Sequence, residues 1–322
     1  MSRILTGNKL IESVRNRAMI PNDTSVYTDQ NILDIANEEI DVQLLDKLLT
    51  LHEEHLTVHI DLPRNAEGVY DIPYRSVGNK LRDVVMISGG QQYEMSQISI
   101  GTLPDYSYDN STYNEGMDKF YIESNQVKFL QPSRSYDIVR IYFYIRPSVL
   151  TKTEQSAKVT NIITEDTQTT LTFTSLPSKF ATLSEIDIVG YRSPNKIKGW
   201  DIPVVEVNTA LKYIIVNNED IQDILGDIAV GDYVCQAEES PVPNLPTEMH
   251  PLLAQLTAVH ILEALGDSEG LANAQRRLES MSKSVMELVD DRVELAPKKI
   301  RPRNGTLNEA RNGNFGRRRR GK

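Results

Sequence analysis

The sequence predicts an α+β protein in which helices from both ends of the chain build one helical domain and β-rich blocks are inserted between them. Apolar residues recur at helical spacing before residue 57 and again after residue 246. Between these limits, short β-rich runs are bounded by turn residues, which is typical of sandwiches or small barrels. The middle region lacks strand–helix–strand alternation, so a parallel α/β sheet is not expected.

Two helices are predicted within residues 1–57. The first runs from about Asn8 to Ala18, and Pro21 ends it because proline cannot continue a helix. The second follows an N-cap at Thr28 or Asp29 and continues through NILDIANEEIDVQLLDKLLTLHEEH. Each helix has one apolar face, and each face needs a partner.

The β-rich region divides into a first block at residues 58–150 and a second block at residues 151–245. In the first block, KFYIESNQVKFLQP predicts a hairpin that turns at residues 124–126, and YDIVRIYFYIRP predicts a strand that Pro147 closes. The second block contains the runs TTLTFTSL, EIDIVGY, KYIIVNN and GDYVCQAE. The segment SPVPNLP ends it as a proline-stiffened linker.

Residues 246–293 predict an antiparallel helical hairpin that completes the helical domain. PLLAQLTAVHILEAL has Pro251 in its first turn and Gly266 just past its end, and Asp267 or Ser268 caps the next helix. Apolar residues of that second helix step by three and four, which predicts a face that packs on another helix. These residues are Leu271, Ala274, Leu278, Met281, Val285 and Leu288.

Candidate chemical groups are few, and we expect no enzymatic activity, no cofactor and no metal. His52, His55 and His59 lie close together in the sequence but lack the further ligands of a metal site, so we interpret them as exposed histidines at a helix end. His250 and His260 are interpreted as helix-start and helix-face residues. The single cysteine, Cys235, cannot form an internal disulfide and is interpreted as a small core residue.

Other classes of protein are not supported by the sequence. It contains neither a Gly-x-Ser-x-Gly nucleophile motif nor a phosphate-binding Gly-x-x-x-x-Gly-Lys-Ser/Thr loop. No apolar run approaches the roughly 20 residues that a membrane span needs. The opening residues also lack the apolar run of a secretory signal.

The last residues of the chain carry a charge opposite to that of the rest. Residues 297–322 hold ten basic residues and one acidic residue, a net +9; the whole chain carries −10, so residues 1–296 carry −19. We predict that residues 294–322 form an extended basic arm that binds a partner; a solubilising terminus and a contact with nucleic acid are the alternatives. The predicted binding residues are Lys298, Lys299, Arg301, Arg303, Leu307, Arg311, Phe315, Arg317, Arg318, Arg319 and Arg320.

Several segments together resemble the head-to-tail connector proteins of tailed bacteriophages, also called portal adaptors or head completion proteins. VYTDQNILDIANEEID is similar to the opening helix of that family, and YDIPYRSVGNKLRDV to its first strands. KFYIESNQVKFLQP and IYFYIRP resemble its hairpin and following strand. The stretch from GDYVCQAEESPVPNLP to LANAQRRLE resembles its return into helices, and PKKIRPRNGTL its basic tail.

The resemblance implies a structural protein of the virion neck, assembled in the cytoplasm of a host bacterium. Its copies would form a ring, usually a dodecamer, beneath the portal protein, with the arm residues bound to the portal. A downstream tail or nozzle protein would attach below, and DNA would pass through the ring. The alternative function is a nucleic-acid-binding virion protein that uses the basic tail on packaged DNA.

Overall fold

A computed structural model describes residues 4–20, 27–102, 119–130, 136–192 and 196–289. Five α-helices lie in this part of the chain. They are α1 (Gly7–Ala18), α2 (Asp29–Glu39), α3 (Leu45–Leu51), α4 (His250–Leu265) and α5 (Ser268–Val289). A π-helical segment, Ile40–Leu44, joins α2 to α3.

Strands fill the region between α3 and α4. The first group comprises β1 (Thr57–Pro63), β2 (Val69–Asp71), β3 (Ser76–Ser88), β4 (Gln91–Glu94), β5 (Ser96–Gln97), β6 (Lys119–Glu123), β7 (Gln126–Phe129), β8 (Ile138–Ile145) and β9 (Val149–Leu150). The second group comprises β10 (Ala157–Thr164), β11 (Gln168–Phe173), β12 (Glu185–Val189), β13 (Ile197–Pro203), β14 (Glu206–Asn208), β15 (Tyr213–Asn217), β16 (Tyr233–Gln236) and β17 (Glu239–Ser240).

The helix α1 ends at Ala18 and α2 begins after its predicted cap, whereas α3 ends at Leu51, before the predicted limit at His55. Thr28 caps α2 in a capping box with Asn31, which satisfies backbone N–H groups of the first turn. The predicted second helix is interrupted by the π-helical segment, so it is not one regular α-helix. Ile40 and Leu44 of that segment are both buried, and the wider turn therefore keeps successive apolar residues on the core side.

The C-terminal helices form the predicted hairpin. Gly266 ends α4 in the left-handed conformation, with φ of 70°, which glycine adopts without a Cβ penalty. The predicted apolar face of α5 is correct except at its last position. Leu288 is 71% exposed, whereas Val289 is buried. The next buried residue after Val285 therefore follows at a spacing of four residues, where the sequence predicted a spacing of three.

All five helices share one hydrophobic core. Leu10 and Val14 of α1, Leu48 of α3 and Leu253 of α4 are completely buried in it, and Val285 of α5 packs there too. Ten of the sixteen residues of α4 are buried, so this helix lies at the centre of the group. None of the described helices is long and apolar enough to cross a membrane.

Strands β1–β8 of the first group pack as two four-stranded sheets, with strand orders β1-β8-β3-β4 and β2-β7-β6-β5. The predicted hairpin at residues 124–126 is confirmed, since β6 and β7 pair antiparallel. Side chains from both sheets meet in one core: Val84 and Ile141 come from one sheet, and Phe120 and Val127 from the other. Burial alternates along β8, with Val139 and Ile141 in this core and Phe143 and Ile145 in a neighbouring cluster with Ile197.

Strands β10–β16 of the second group form a seven-stranded sheet with the order β13-β12-β16-β10-β11-β15-β14. A register shift between Val159 and Asn161 bends β10, which pairs with both β16 and β11. Ile202 on β13 and Ile214 on β15 lie near opposite ends of this order yet belong to the same core. The sheet therefore curves around its own apolar side chains.

The predicted α+β class is confirmed, because helices and mainly antiparallel sheets occupy separate stretches of the described chain. The finer domain boundaries, at residues 57, 150, 245 and 293, stay predictions. The predicted basic arm, residues 294–322, lies outside the described residues.

A substitution at the centre of the shared helical core should lower the stability of the protein. Leu253→Ala removes a fully buried side chain from the centre of that core, and we expect the free energy of unfolding to fall by about 2–5 kcal/mol. Leu265→Ala, at the exposed end of the same helix, is the matched control and should cost less than about 1 kcal/mol. Urea unfolding followed by circular dichroism measures both; equal losses would contradict a core centred on α4.

Candidate functional site

The helical core meets the strands at one crossing point. Strand β9 ends the first group and pairs in parallel with β17, which ends the second group. Asn37 on α2 binds both backbone polar groups of Leu150 there: its Oδ1 accepts from the Leu150 N–H at 2.8 Å, and its Nδ2 donates to the Leu150 carbonyl at 3.3 Å. A single helical side chain thus fixes the backbone at the crossing.

The proline-rich linker that leads from β17 to α4 is buried beside this crossing. Asn244 accepts a hydrogen bond from the Ser148 N–H at 3.0 Å. His250 accepts from the Leu5 N–H through Nδ1 at 3.1 Å, so its Nε2 carries the proton and donates to the Leu245 carbonyl at 3.2 Å. Burial lowers the pKa of His250 to about 4, and the ring is therefore neutral near pH 7.

A buried ion pair joins the two groups of strands next to the linker. The Nη1 atom of Arg75, in the turn after β2, lies 2.9 and 2.8 Å from the two carboxylate oxygens of Asp187 on β12. Arg75 is 3% exposed and Asp187 is completely buried. The backbone N–H groups of Asp201 and Glu238 also donate to Asp187, each at 3.0 Å. Asp187 therefore has the cation and the donors that a buried carboxylate requires.

The surface outside this ion pair is a shallow cavity of about 220 Å³. Two apolar side chains stand at its edge, since Tyr74 is 62% exposed and Val149 is 51% exposed. Tyrosine and arginine are enriched at protein–protein interfaces, where they supply large contact areas. We call this region the junction surface; it is lined by Asn37, Ile40, Asp41, Tyr74, Arg75, Arg146, Pro147, Ser148, Val149 and Glu238.

The π-helical segment contributes to the junction surface through Ile40 and Asp41. Val42, the next residue, is 71% exposed. Segments of this kind occur often at functional sites, because the extra residue in the turn changes where neighbouring side chains point. Its position beside the cavity supports a binding role for the junction surface.

The histidine cluster differs from the sequence-based interpretation at one position. His55 is buried rather than exposed, because the short 3₁₀ turn that follows α3 places it against the linker. Burial, with Lys196 and His52 nearby, lowers the pKa of His55 to about 3. His59 lies on β1 with its ring 5.4 Å from that of Tyr142. Among the residues that the structure describes, no three His, Cys, Asp or Glu side chains are placed to hold a metal ion.

The remaining candidates from the sequence fall into three groups. Cys235 is buried on β16, which confirms its interpretation as a core residue, and burial raises the pKa of its thiol. His250 begins α4 as predicted, and His260 on α4 contacts Glu39 with its Nδ1 2.9 Å from Oε1. All eleven predicted binding residues of the arm, from Lys298 to Arg320, lie outside the described residues.

Sequence reasoning missed the ion pair because its partners are 112 positions apart. One local signal was available: Asp187 interrupts the apolar run of EIDIV, and a charged residue inside a buried strand needs a partner. That signal indicates that a partner exists, but it does not identify Arg75.

Comparisons with known proteins add no family assignment. No protein-family model matches the chain, and no curated protein matches its sequence.

The buried ion pair should contribute strongly to stability, and its contribution should depend on pH. Arg75→Met leaves the Asp187 carboxylate buried without its cation, and we expect a loss of about 3–5 kcal/mol in the free energy of unfolding at pH 7.5. Burial raises the pKa of Asp187, and Arg75 opposes that rise. In the variant the native state therefore binds a proton more tightly than the unfolded state, so the loss should shrink as the pH falls.

Arg82→Met is the matched control, because Arg82 makes an exposed ion pair with Glu54 at 2.9 Å. We expect that variant to lose less than about 1 kcal/mol. Urea titrations at pH 7.5 and pH 5.0 compare the two variants. Equal losses at both positions, or an Arg75→Met loss that grows as the pH falls, would contradict the assignment.

Proposed function

We propose that this protein is a structural adaptor of a bacteriophage neck, whose copies form a ring beneath the portal protein and bind it through the basic C-terminal arm. The role is that of a scaffold rather than an enzyme. A tail or nozzle protein attaches to the ring, and DNA passes through its centre.

The observation that carries the proposal is the helical core shared by both ends of the chain. The segments with family resemblance fall on successive structural elements: the opening helix is α2, the hairpin is β6–β7, the following strand is β8, and the return into helices is α4–α5. Their order along the chain agrees with an adaptor in which a helical unit carries strands inserted between its helices. A compact helical unit of this kind suits a collar of repeated subunits.

The junction surface supplies a contact for a neighbouring copy. A closed ring needs heterologous contacts, in which two different surfaces of the subunit meet. Tyr74 and Val149 supply exposed apolar area, and Arg146, Asp41 and Glu238 place charges around it. That combination of an apolar centre and a polar rim is typical of specific interfaces.

Residues 1–296 and residues 297–322 carry opposite net charges, and each charge suits a different part of the proposed role. The net −19 of residues 1–296 suits a channel through which DNA moves without sticking, because like charges repel. The net +9 of residues 297–322 suits attachment to a partner. An exposed ion pair contributes only about 0.2–1 kcal/mol, so firm attachment depends on the ring presenting many arms at once.

Removal of residues 297–322 should abolish stable attachment to the portal. The body should remain folded, because Ile300, Leu307 and Phe315 are the only large hydrophobic residues in the deleted segment. Co-sedimentation with purified portal protein measures attachment, and thermal unfolding of the truncated chain is the control. Normal portal binding combined with lost affinity for duplex DNA would contradict the proposal and favour the nucleic-acid-binding alternative.

Replacing Arg317, Arg318, Arg319 and Arg320 with serine tests the electrostatic part of the attachment. The variant keeps the length of the arm but loses four charges, so portal binding should weaken. Its remaining binding should also depend less on salt than that of the native chain, because fewer ion pairs are left to screen. An unchanged salt dependence would contradict a charge-based attachment.

The junction surface is tested by Tyr74→Ala combined with Val149→Ser. We expect at least a tenfold loss of association between copies, which corresponds to about 1.4 kcal/mol, with little change in the stability of the subunit. Leu211→Ser is the control, since Leu211 is 68% exposed away from this surface. Native mass spectrometry with the portal present gives the distribution of oligomers; a distribution unchanged from the native one would exclude this surface from the interface.

A further inference from the structure

A second cavity lies between the two groups of strands, on a part of the surface separate from the junction surface. It has a volume of about 540 Å³ and runs between β1 and β13. A neighbouring cavity of about 260 Å³ shares His59, Lys198, Trp200, Asp223 and Ile224 with it, so the two form one continuous depression. We call this depression the β1–β13 groove.

The floor of the groove is aromatic and apolar. Trp200 on β13 is partly exposed there, and its ring meets Phe143 of β8 edge to face at a centroid distance of 6.1 Å. Ile197 is buried beneath the groove with Phe143 and Ile145, and Val58 packs against them. Trp200 therefore has a fixed orientation and keeps part of its ring available to a ligand.

The segment 219–230 forms one wall and is held firmly in place. Ile221 and Ile228 anchor it in the core of the curved sheet. Gly199 permits the close approach of the wall to β13, because a Cβ at that position would lie 2.4 Å from the Ile224 Cδ1 atom. The wall is thus a built surface and not a loose loop.

The wall is acidic, and its charges remain available. Glu219, Asp223 and Asp227 are exposed and line the groove. Within the described chain, none of these three carboxylates makes a hydrogen bond or an ion pair.

The lysines of the groove are already engaged by neighbouring oxygens. The Lys198 Nζ atom lies 2.7 Å from an Asp232 carboxylate oxygen, and Lys196 donates to the Glu54 carbonyl at 2.9 Å. Arg192 also lines the groove and is exposed, but the acidic lining residues outnumber the basic ones by six to three, so the net charge of the groove favours a cationic ligand.

We propose that the β1–β13 groove binds an extended segment of a partner protein in which an aromatic side chain is flanked by arginine or lysine. The aromatic side chain packs on Trp200 and displaces water from the apolar floor. The flanking cations pair with Asp223 and Asp227, and arginine can also stack on the indole ring. A volume of several hundred Å³ holds a few side chains, and the acidic wall repels phosphate, which favours a cationic peptide over a nucleic acid.

Binding in the groove can be followed by tryptophan fluorescence, because Trp200 is the single tryptophan of the chain. We would titrate the full-length protein with a seven-residue peptide that has one phenylalanine between two pairs of arginines. A saturable change in Trp200 emission is expected. Two control peptides, one with alanine in place of phenylalanine and one with glutamate in place of arginine, should each bind at least tenfold more weakly. Equal binding of all three peptides would overturn the proposal.

Variants distinguish the groove from general attraction to an acidic surface. Asp223→Asn combined with Asp227→Asn should weaken binding of the arginine–phenylalanine peptide at least tenfold. Glu165→Gln combined with Asp166→Asn removes the same charge from an exposed turn outside the groove and should leave binding unchanged. The proposal is overturned if both pairs weaken binding equally. A change in Trp200 emission with protein concentration alone, without peptide, would overturn the assignment to a separate partner in favour of a second copy of this chain.

Discussion

The burial of apolar helix faces from opposite ends of the chain is the constraint on which the rest of the structure depends. The faces of α1–α3 and of α4–α5 complete each other in a single core, with Leu253 at its centre. The chain must therefore leave this core after α3 and return to it before α4. Both groups of strands lie between α3 and α4 in the sequence and are therefore inserted into the helical core.

Contacts at the crossing region fix the relative positions of the helical core and the two groups of strands. Asn37 holds the backbone of Leu150, Asn244 holds that of Ser148, and Arg75 holds Asp187 across the two groups of strands. Each of these contacts is polar and directional, unlike the hydrophobic packing around it, so it specifies one relative position. The proposed ring would need such a fixed geometry, because an error in one subunit would accumulate around the circle. The exposed Tyr74 and Val149 lie beside these contacts, at the edge of the junction surface.

The helices and the hairpin could be predicted from the sequence because their signals are local. A period of three and four residues marks α5, and a cap marks the start of α2. The same reasoning placed Leu288 in the core and His55 at the surface, since periodicity does not record where a helix ends or what packs beyond it. The Arg75–Asp187 pair and the β1–β13 groove depend on contacts between distant segments. Only the folded chain brings Trp200 beside the wall that contains Asp223 and Asp227.

The most direct test of the proposed role is an image of the assembly. Electron microscopy of the full-length protein mixed with its cognate portal protein would be analysed as averaged end-on and side views. A closed ring of copies, coaxial with the portal and attached to one of its ends, is the predicted result. Portal particles that carry no added layer at saturating concentrations of this protein would contradict the adaptor assignment.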